Sequence, residues 1–192
     1  MASLHRVSNW NPTVQRVADV VFVHGLGGHP FETWSSPAAG SWLQWLAEDS
    51  QELSVWTLGY DAAVSSWSGY AMSLIDRAVN CLAELQAHQI GRRPLFFVGH
   101  SMGGLLVKQM LRPSSSSAPD FADIAISTRG VILLATPNAG TGVASLANLL
   151  QQVLRTTAPM RDLEANSPLL RDLNQWYRNN ADALDIRTRV FF

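Results

Sequence analysis

The sequence predicts an α/β fold, a mostly parallel sheet with helices on both faces. Two observations carry this expectation: short apolar runs recur along the chain, and stretches with helical spacing separate them. The runs are ADVVFVHG (18–25), LSVWTLGY (53–60), PLFFVGH (94–100), GVILLAT (130–136) and IRTRVFF (186–192). The first four are flanked by Gly or Pro and are apolar on both faces, which suits strands covered by helices on either side rather than strands with one wet face.

The intervening segments follow in order. SWLQWLAEDS (41–50) opens with Ser41 as an N-cap candidate, and residues 70–89 place Met72, Ile75, Val79, Leu82 and Leu85 on one helix face. RPSSSSAPD (112–120) reads as a surface connection. Residues 137–182 read as two or more helices interrupted around Pro159 and Pro168, long for a simple crossover and suited to a helical lid or cap. The chain stops on RVFF within its last strand pattern. Termini are usually polar and exposed, so the expectation is one domain over residues 1–192, incomplete at its C-terminal end.

Composition narrows the functional classes. A chain of 192 residues suffices for a single core. A formal charge of −1 with interspersed signs provides no basic face for nucleic acid. Cys81 is the only cysteine, which excludes a disulfide framework and a cysteine-based metal site and points to a reducing, cytoplasmic setting. The N-terminus lacks a signal-peptide pattern, and no run reaches the roughly 18 apolar residues a bilayer span needs. The seven tryptophans, several of them between Trp34 and Trp67, are read as packing residues ahead of the alternative of lining a substrate site.

The chemistry sits in two glycine-bounded motifs. In GHSMG, Gly99, Ser101 and Gly103 match a G-x-S-x-G elbow, preceded by the strand PLFFV and followed by the helix GGLLVKQML. Such a turn holds the Ser101 hydroxyl at the carboxyl edge of the sheet, with His100 beside it and the first amides of the next helix facing developing negative charge. HGLGG (24–28) follows the strand DVVFV. An oxyanion hole needs backbone donors from two segments. Met102, after the nucleophile, supplies one, and Leu26, between Gly25 and Gly27, is the candidate for the other. The alternatives are a plain turn at Gly25, Gly27 and Gly28 and a helix-capping role for Ser101.

With VFVHGLGG, Trp34 and its loop, LGYDA, FFVGHSMGGLLVKQML and GVILLATPNAG in view, the chain resembles the α/β-hydrolase superfamily. It is most similar to a lipase-like group that includes serine-active-site-containing proteins and GPI inositol-deacylases, a type of domain also found at the N-terminus of STAND or NLR-type multidomain proteins. The resemblance implies Ser101 as nucleophile, the Leu26 and Met102 amides as oxyanion hole, and His24 ordering the oxyanion loop. It implies a lipid or other apolar acyl ester as substrate, no metal or organic cofactor, and membership of a larger chain or assembly; peripheral membrane contact stays open.

One piece of the triad is missing. His5, His24, His29, His88 and His100 all precede Ser101, and no histidine follows it. By the resemblance, the acid lies in the loop after the last strand and the histidine after one further strand, both beyond Phe192. Relatives often carry histidine where this chain has Asn138. His29 is a weak substitute base against a loop-structural role, and Asp61 a displaced acid against a turn or cap. Two readings therefore stand: a serine hydrolase domain completed downstream, or a catalytically silent binding or effector module of a larger signalling or defence protein.

Overall fold

All five apolar runs form strands of one sheet in the computed structural model, which describes residues 2–9, 13–62, 73–116, 119–138 and 168–192. The strands are β1 (Ser3–Arg6), β2 (Ala18–Val23), a small ribbon of β3 (Ser35–Ser36) and β4 (Gly40–Ser41), β5 (Leu53–Gly59), β6 (Leu95–His100), β7 (Thr128–Leu134) and β8 (Arg187–Phe191). The helices are α1 (Trp42–Asp49), α2 (Leu74–Ala87), α3 (Met102–Ser116), α4 (Ala122–Ser127) and α5 (Pro168–Asn180). Among the described residues the main sheet runs β1-β5-β2-β6-β7-β8, antiparallel only at the β1–β5 edge.

Alternation along β2 shows why its run is apolar throughout. Val21 and Val23 enter the larger core with α2, α3 and α5, whereas Val20 and Phe22 enter the smaller one with Trp34 and Leu43 of α1. The single charge in β2, Asp19, is fully buried and satisfied: Arg93 donates to both of its oxygens, at 2.8 and 3.1 Å, and Trp56 Nε1 donates to Oδ1 at 3.0 Å. A buried carboxylate survives where such charge-assisted bonds replace water.

Several local expectations are corrected. Ser41 occupies the N-cap of α1 without a side-chain cap bond. Helix α2 is capped by Ser73, whose hydroxyl accepts from the Asp76 amide, and its buried face is Leu74, Arg77, Ala78, Cys81, Leu82 and Leu85. Ile75 and Val79 are exposed, so the core face is rotated from the one expected; Met72 lies outside the described residues. Residues 112–116 continue α3 through Pro113 instead of forming a loop. There Ser114 and Ser115 donate to the Met110 and Arg112 carbonyls, side-chain bonds that suit the last turn of a helix. Pro168 opens α5, the position where a missing N–H costs nothing. Of the stretch read as a lid, residues 139–167 lie outside the described residues, and α5 packs Leu170, Leu173 and Tyr177 into the larger core. Trp34 and Trp56 are core residues, whereas Trp42 and Trp45 are exposed.

Candidate active site

Ser101 occupies the turn between β6 and α3 with φ at +51°. A left-handed serine is a costly conformation that persists only where neighbours fix it. Two of the neighbours that fix it are explicit: the Ser101 amide donates to the Leu134 carbonyl at 2.8 Å, and the Ser101 carbonyl accepts from the Gly104 amide at 3.1 Å. Close approach explains the flanking glycines. A methyl group at Gly103 would stand 2.1 Å from the Val23 carbonyl oxygen and 2.4 Å from that of His24, so the start of α3 rests against the end of β2. One at Gly99 would meet Gly104 Cα at 2.6 Å.

This contact brings the second motif to the serine. A methyl group at Gly25 would lie 3.0 Å from Ser101 Cβ, which places the HGLGG loop directly beside the nucleophile candidate. The loop is tightly held: the Gly27 amide (φ +66°) donates to the Ala62 carbonyl at 2.7 Å and the Gly28 amide to the Gly25 carbonyl at 3.1 Å. His24 lies beneath it. Its Nδ1 is 2.9 Å from the Gly25 carbonyl, its ring stacks on Tyr60 at 4.5 Å, and Tyr60 OH donates to the His24 carbonyl at 2.8 Å. Burial pushes the His24 and His100 imidazoles below the usual histidine range, so both are neutral at pH 7. Neither is set up to take the serine proton. The His100 ring sits edge-on to Trp34 at 6.3 Å, and among the described residues neither histidine bonds to the Ser101 hydroxyl.

Leu26, next to Gly25, and Met102, next to Ser101, are both buried. Met102 is the first residue of α3, where helix geometry leaves the amide without an intrahelical acceptor. The helix N-terminus adds a favourable field for an anion. Ser101 remains partly open to solvent. The arrangement offers a left-handed, partly accessible serine at the start of α3 with the HGLGG loop against its Cβ.

The remaining candidates lie elsewhere. His5 is on edge strand β1, with Nε2 3.0 Å from Ser3 Oγ. His88 ends α2, with Nδ1 3.0 Å from the Glu84 carbonyl. His29 Nδ1 accepts from the Phe31 and Glu32 amides at 3.3 and 3.5 Å and so orders the loop after Gly28. Asp61 faces the buried Arg77 across 3.9 Å, and Arg77 also donates to its carbonyl oxygen. Among the described residues no group of three His, Cys, Asp or Glu side chains could hold a metal.

Sequence reasoning missed the support behind the elbow. Ala135 is left-handed (φ +46°), its amide donates to the Phe191 carbonyl at 2.7 Å, and Thr136 packs against Gly104 so closely that a methyl group there would meet its Oγ1 at 2.1 Å. The TPNAG motif was the available signal. It also missed a buried cluster around Lys108, whose partners Asn138 and Asn174 are far away in sequence.

Comparison with known proteins bears on the whole arrangement. The chain is 32% identical over 197 residues to Protein SERAC1 of Danio rerio, covering 91% of this chain and 30% of that protein. It is 31% identical to Protein SERAC1 of Homo sapiens, covering 81% and 27%. The chain thus spans less than a third of these curated relatives. Among solved structures, phospholipase PlaB from Legionella pneumophila superposes with a TM-score of 0.57 at 18% identity, covering 91% of this chain and 38% of that one. Esterase B from Lactobacillus rhamnosis superposes at 0.51 and 12% identity, covering 98% and 74%. At these identities the two structures speak for the fold. The family model for the Alpha/beta hydrolase family matches residues 20–191, with the parallel sheet, the elbow and the helices inside it, and the chain belongs to that family.

Proposed function

We propose that this chain carries the nucleophile and oxyanion hole of a serine hydrolase that cleaves carboxylic esters with apolar acyl groups. One observation carries the reading: Ser101 is held left-handed at a strand-to-helix turn, with the HGLGG loop against its Cβ. Ser101 Oγ attacks the ester carbonyl and gives up its proton to a base. The Leu26 and Met102 amides receive the oxyanion, and collapse expels the alcohol, leaving an acyl-serine that water hydrolyses to the acid. The base and its orienting acid come from residues following Phe192 in a longer protein, in keeping with the small share of the SERAC1 relatives that the chain spans. The names of the solved neighbours, a phospholipase and an esterase, suggest the ester class by analogy. A cytoplasmic setting accords with the buried free thiol of Cys81, and no described helix is long and apolar enough to cross a membrane.

A second reading, a catalytically silent module, has one observation in its favour: all five histidines lie among the described residues and none is positioned as the base of Ser101. The two readings separate on ester turnover by the full-length protein. Hydrolysis of p-nitrophenyl esters that rises with acyl length and disappears in Ser101→Ala supports the enzyme. The same turnover in wild type and variant, or none in either, leaves the silent module.

A further inference from the structure

The chain has one lysine, and it is buried. Lys108, 3% exposed, projects from α3 into the space between α5 and β8. Two of its three protons go to amide oxygens, Asn138 Oδ1 and Asn174 Oδ1, and its ammonium lies 5.2 Å from the centre of the Tyr177 ring. These contacts replace water as hydrogen-bond acceptors without cancelling the charge. Among the described residues no carboxylate pairs with Lys108: Asp172, on the same face of the fold, pairs with Arg112 at 2.6 Å. Among the described residues the charge acting on Lys108 is that of Arg178, which has the same sign. Burial, followed by that repulsion, lowers its pKa from 10.5 to about 8. An unpaired buried cation is costly, and a counter-ion from outside removes much of the cost.

The space beside it has a definite shape. A cavity of about 460 Å³ opens against Lys108, with Asn138 and Asn174 at the polar end and Leu133, Ala181 and Val190 along the apolar wall. Ligand sites are commonly of this size and pattern, mostly apolar with a few convergent polar groups. Ser101, Leu26 and Met102 do not line it. Lys108 is seven residues beyond Ser101, about 10 Å along the helix at 1.5 Å per residue.

The structure assigns a second binding site here: the cavity takes an aliphatic carboxylate, with the carboxylate at Lys108 and the tail along Leu133, Ala181 and Val190. A carboxylate matches a single internal cation in charge, and the Asn174 side-chain amide can donate to its oxygens while the Asn138 and Asn174 carbonyls hold the ammonium. Exposed Arg178, at the rim, attracts the anion toward the opening. The site stands on its own geometry and does not depend on Ser101 being a nucleophile.

The test uses the full-length protein labelled with ¹³C-lysine, in which the resonance missing from Lys108→Met is that of Lys108, and titrates it with decanoate or with 1-decanol, its uncharged analogue. Decanoate is expected to shift the Lys108 Cε resonance saturably below 1 mM and to bind at least tenfold more tightly than decanol. Lys108→Met is expected to weaken decanoate at least tenfold, read from tryptophan fluorescence, and to leave decanol unchanged. Val190→Trp, a substitution on β8 that fills the apolar wall, is expected to weaken both while the Lys108 Cε resonance keeps its native chemical shift, which shows that the chain is folded. An unmoved Lys108 resonance at millimolar decanoate, equal affinity for decanol, or wild-type affinity in Lys108→Met would each overturn the assignment and leave Lys108 as a structural tie between α3 and α5.

Discussion

Replacing Ser101 by glycine is expected to stabilise the protein relative to replacing it by alanine. Both changes remove the hydroxyl, so their difference isolates the backbone at φ +51°. A left-handed conformation costs a residue with a Cβ about 1–2 kcal/mol, which glycine avoids. Glycine in turn gives the unfolded chain more freedom, offsetting about 0.4–1 kcal/mol. The balance favours Ser101→Gly over Ser101→Ala by about 1 kcal/mol, or a rise in Tm of about 2–4 °C for a chain of this size. Removing the Cβ opens no large cavity, because Ser101 is only partly buried and glycine at position 25 already faces it. Urea unfolding followed by tryptophan fluorescence measures both variants, and buried Trp34 and Trp56 provide the signal. A glycine variant equal to or less stable than the alanine variant would mean that Ser101 is not held under strain, and the elbow reading would lose its physical basis.

Gly103→Ala puts a methyl group 2.1 Å from a backbone carbonyl in β2, where no side chain can yield, and is expected to cost about 3 kcal/mol or more. Gly27→Ala meets nothing within 4 Å and is expected to cost about 1 kcal/mol, the left-handed penalty less the unfolded-state freedom that glycine carries; urea midpoints for the pair check the order. Lys108, with its native pKa near 8 and an ordinary value of 10.5, is protonated in the unfolded chain and neutral in the native one between those values. Lys108 alone should therefore make stability rise with pH from 8 toward 9.5, below ordinary tyrosine ionisation, and fall back as pH drops toward 8; the raised Cys81 thiol, ordinarily near 9.0, opposes this rise, so the quantity read is the difference in slope between wild type and Lys108→Met. The full linkage is worth up to about 3 kcal/mol, and the slope should flatten in Lys108→Met. Burial pushes the Cys81 thiol up to about 12, so it should resist a thiol reagent such as dithionitrobenzoate at pH 8 in the native state and react on unfolding; rapid native reaction would contradict its burial.

The parts of this fold that could be read in advance are those whose signal is local. Strands β2, β5, β6 and β7 each send apolar side chains into both cores and so read as short apolar runs, and Ser101 with its glycines fits one tight turn. Strand β1 escaped notice because SLHR is a four-residue antiparallel edge with only Leu4 buried. The face of α2 was misplaced because small Ala78 and charged Arg77 are core residues there, while Ile75 and Val79 point outward. A loop was expected at 112–116 because Pro and Ser usually end helices, yet α3 runs through Pro113 to Ser116, with the Ser114 and Ser115 hydroxyls bonded to the Met110 and Arg112 carbonyls. Nothing local announces the Lys108 cluster, since Asn174 reaches it from 66 positions away. Such sites exist only once α3, α5 and β8 have packed together.

The measurement that bears most directly on the central claim is mass mapping of the full-length protein after treatment with a fluorophosphonate. A single adduct is expected on the peptide carrying Ser101, absent in Ser101→Ala and slowed in Gly103→Ala. No adduct at Ser101, in a folded protein whose Ser101 is open to solvent, would contradict a nucleophile at this elbow.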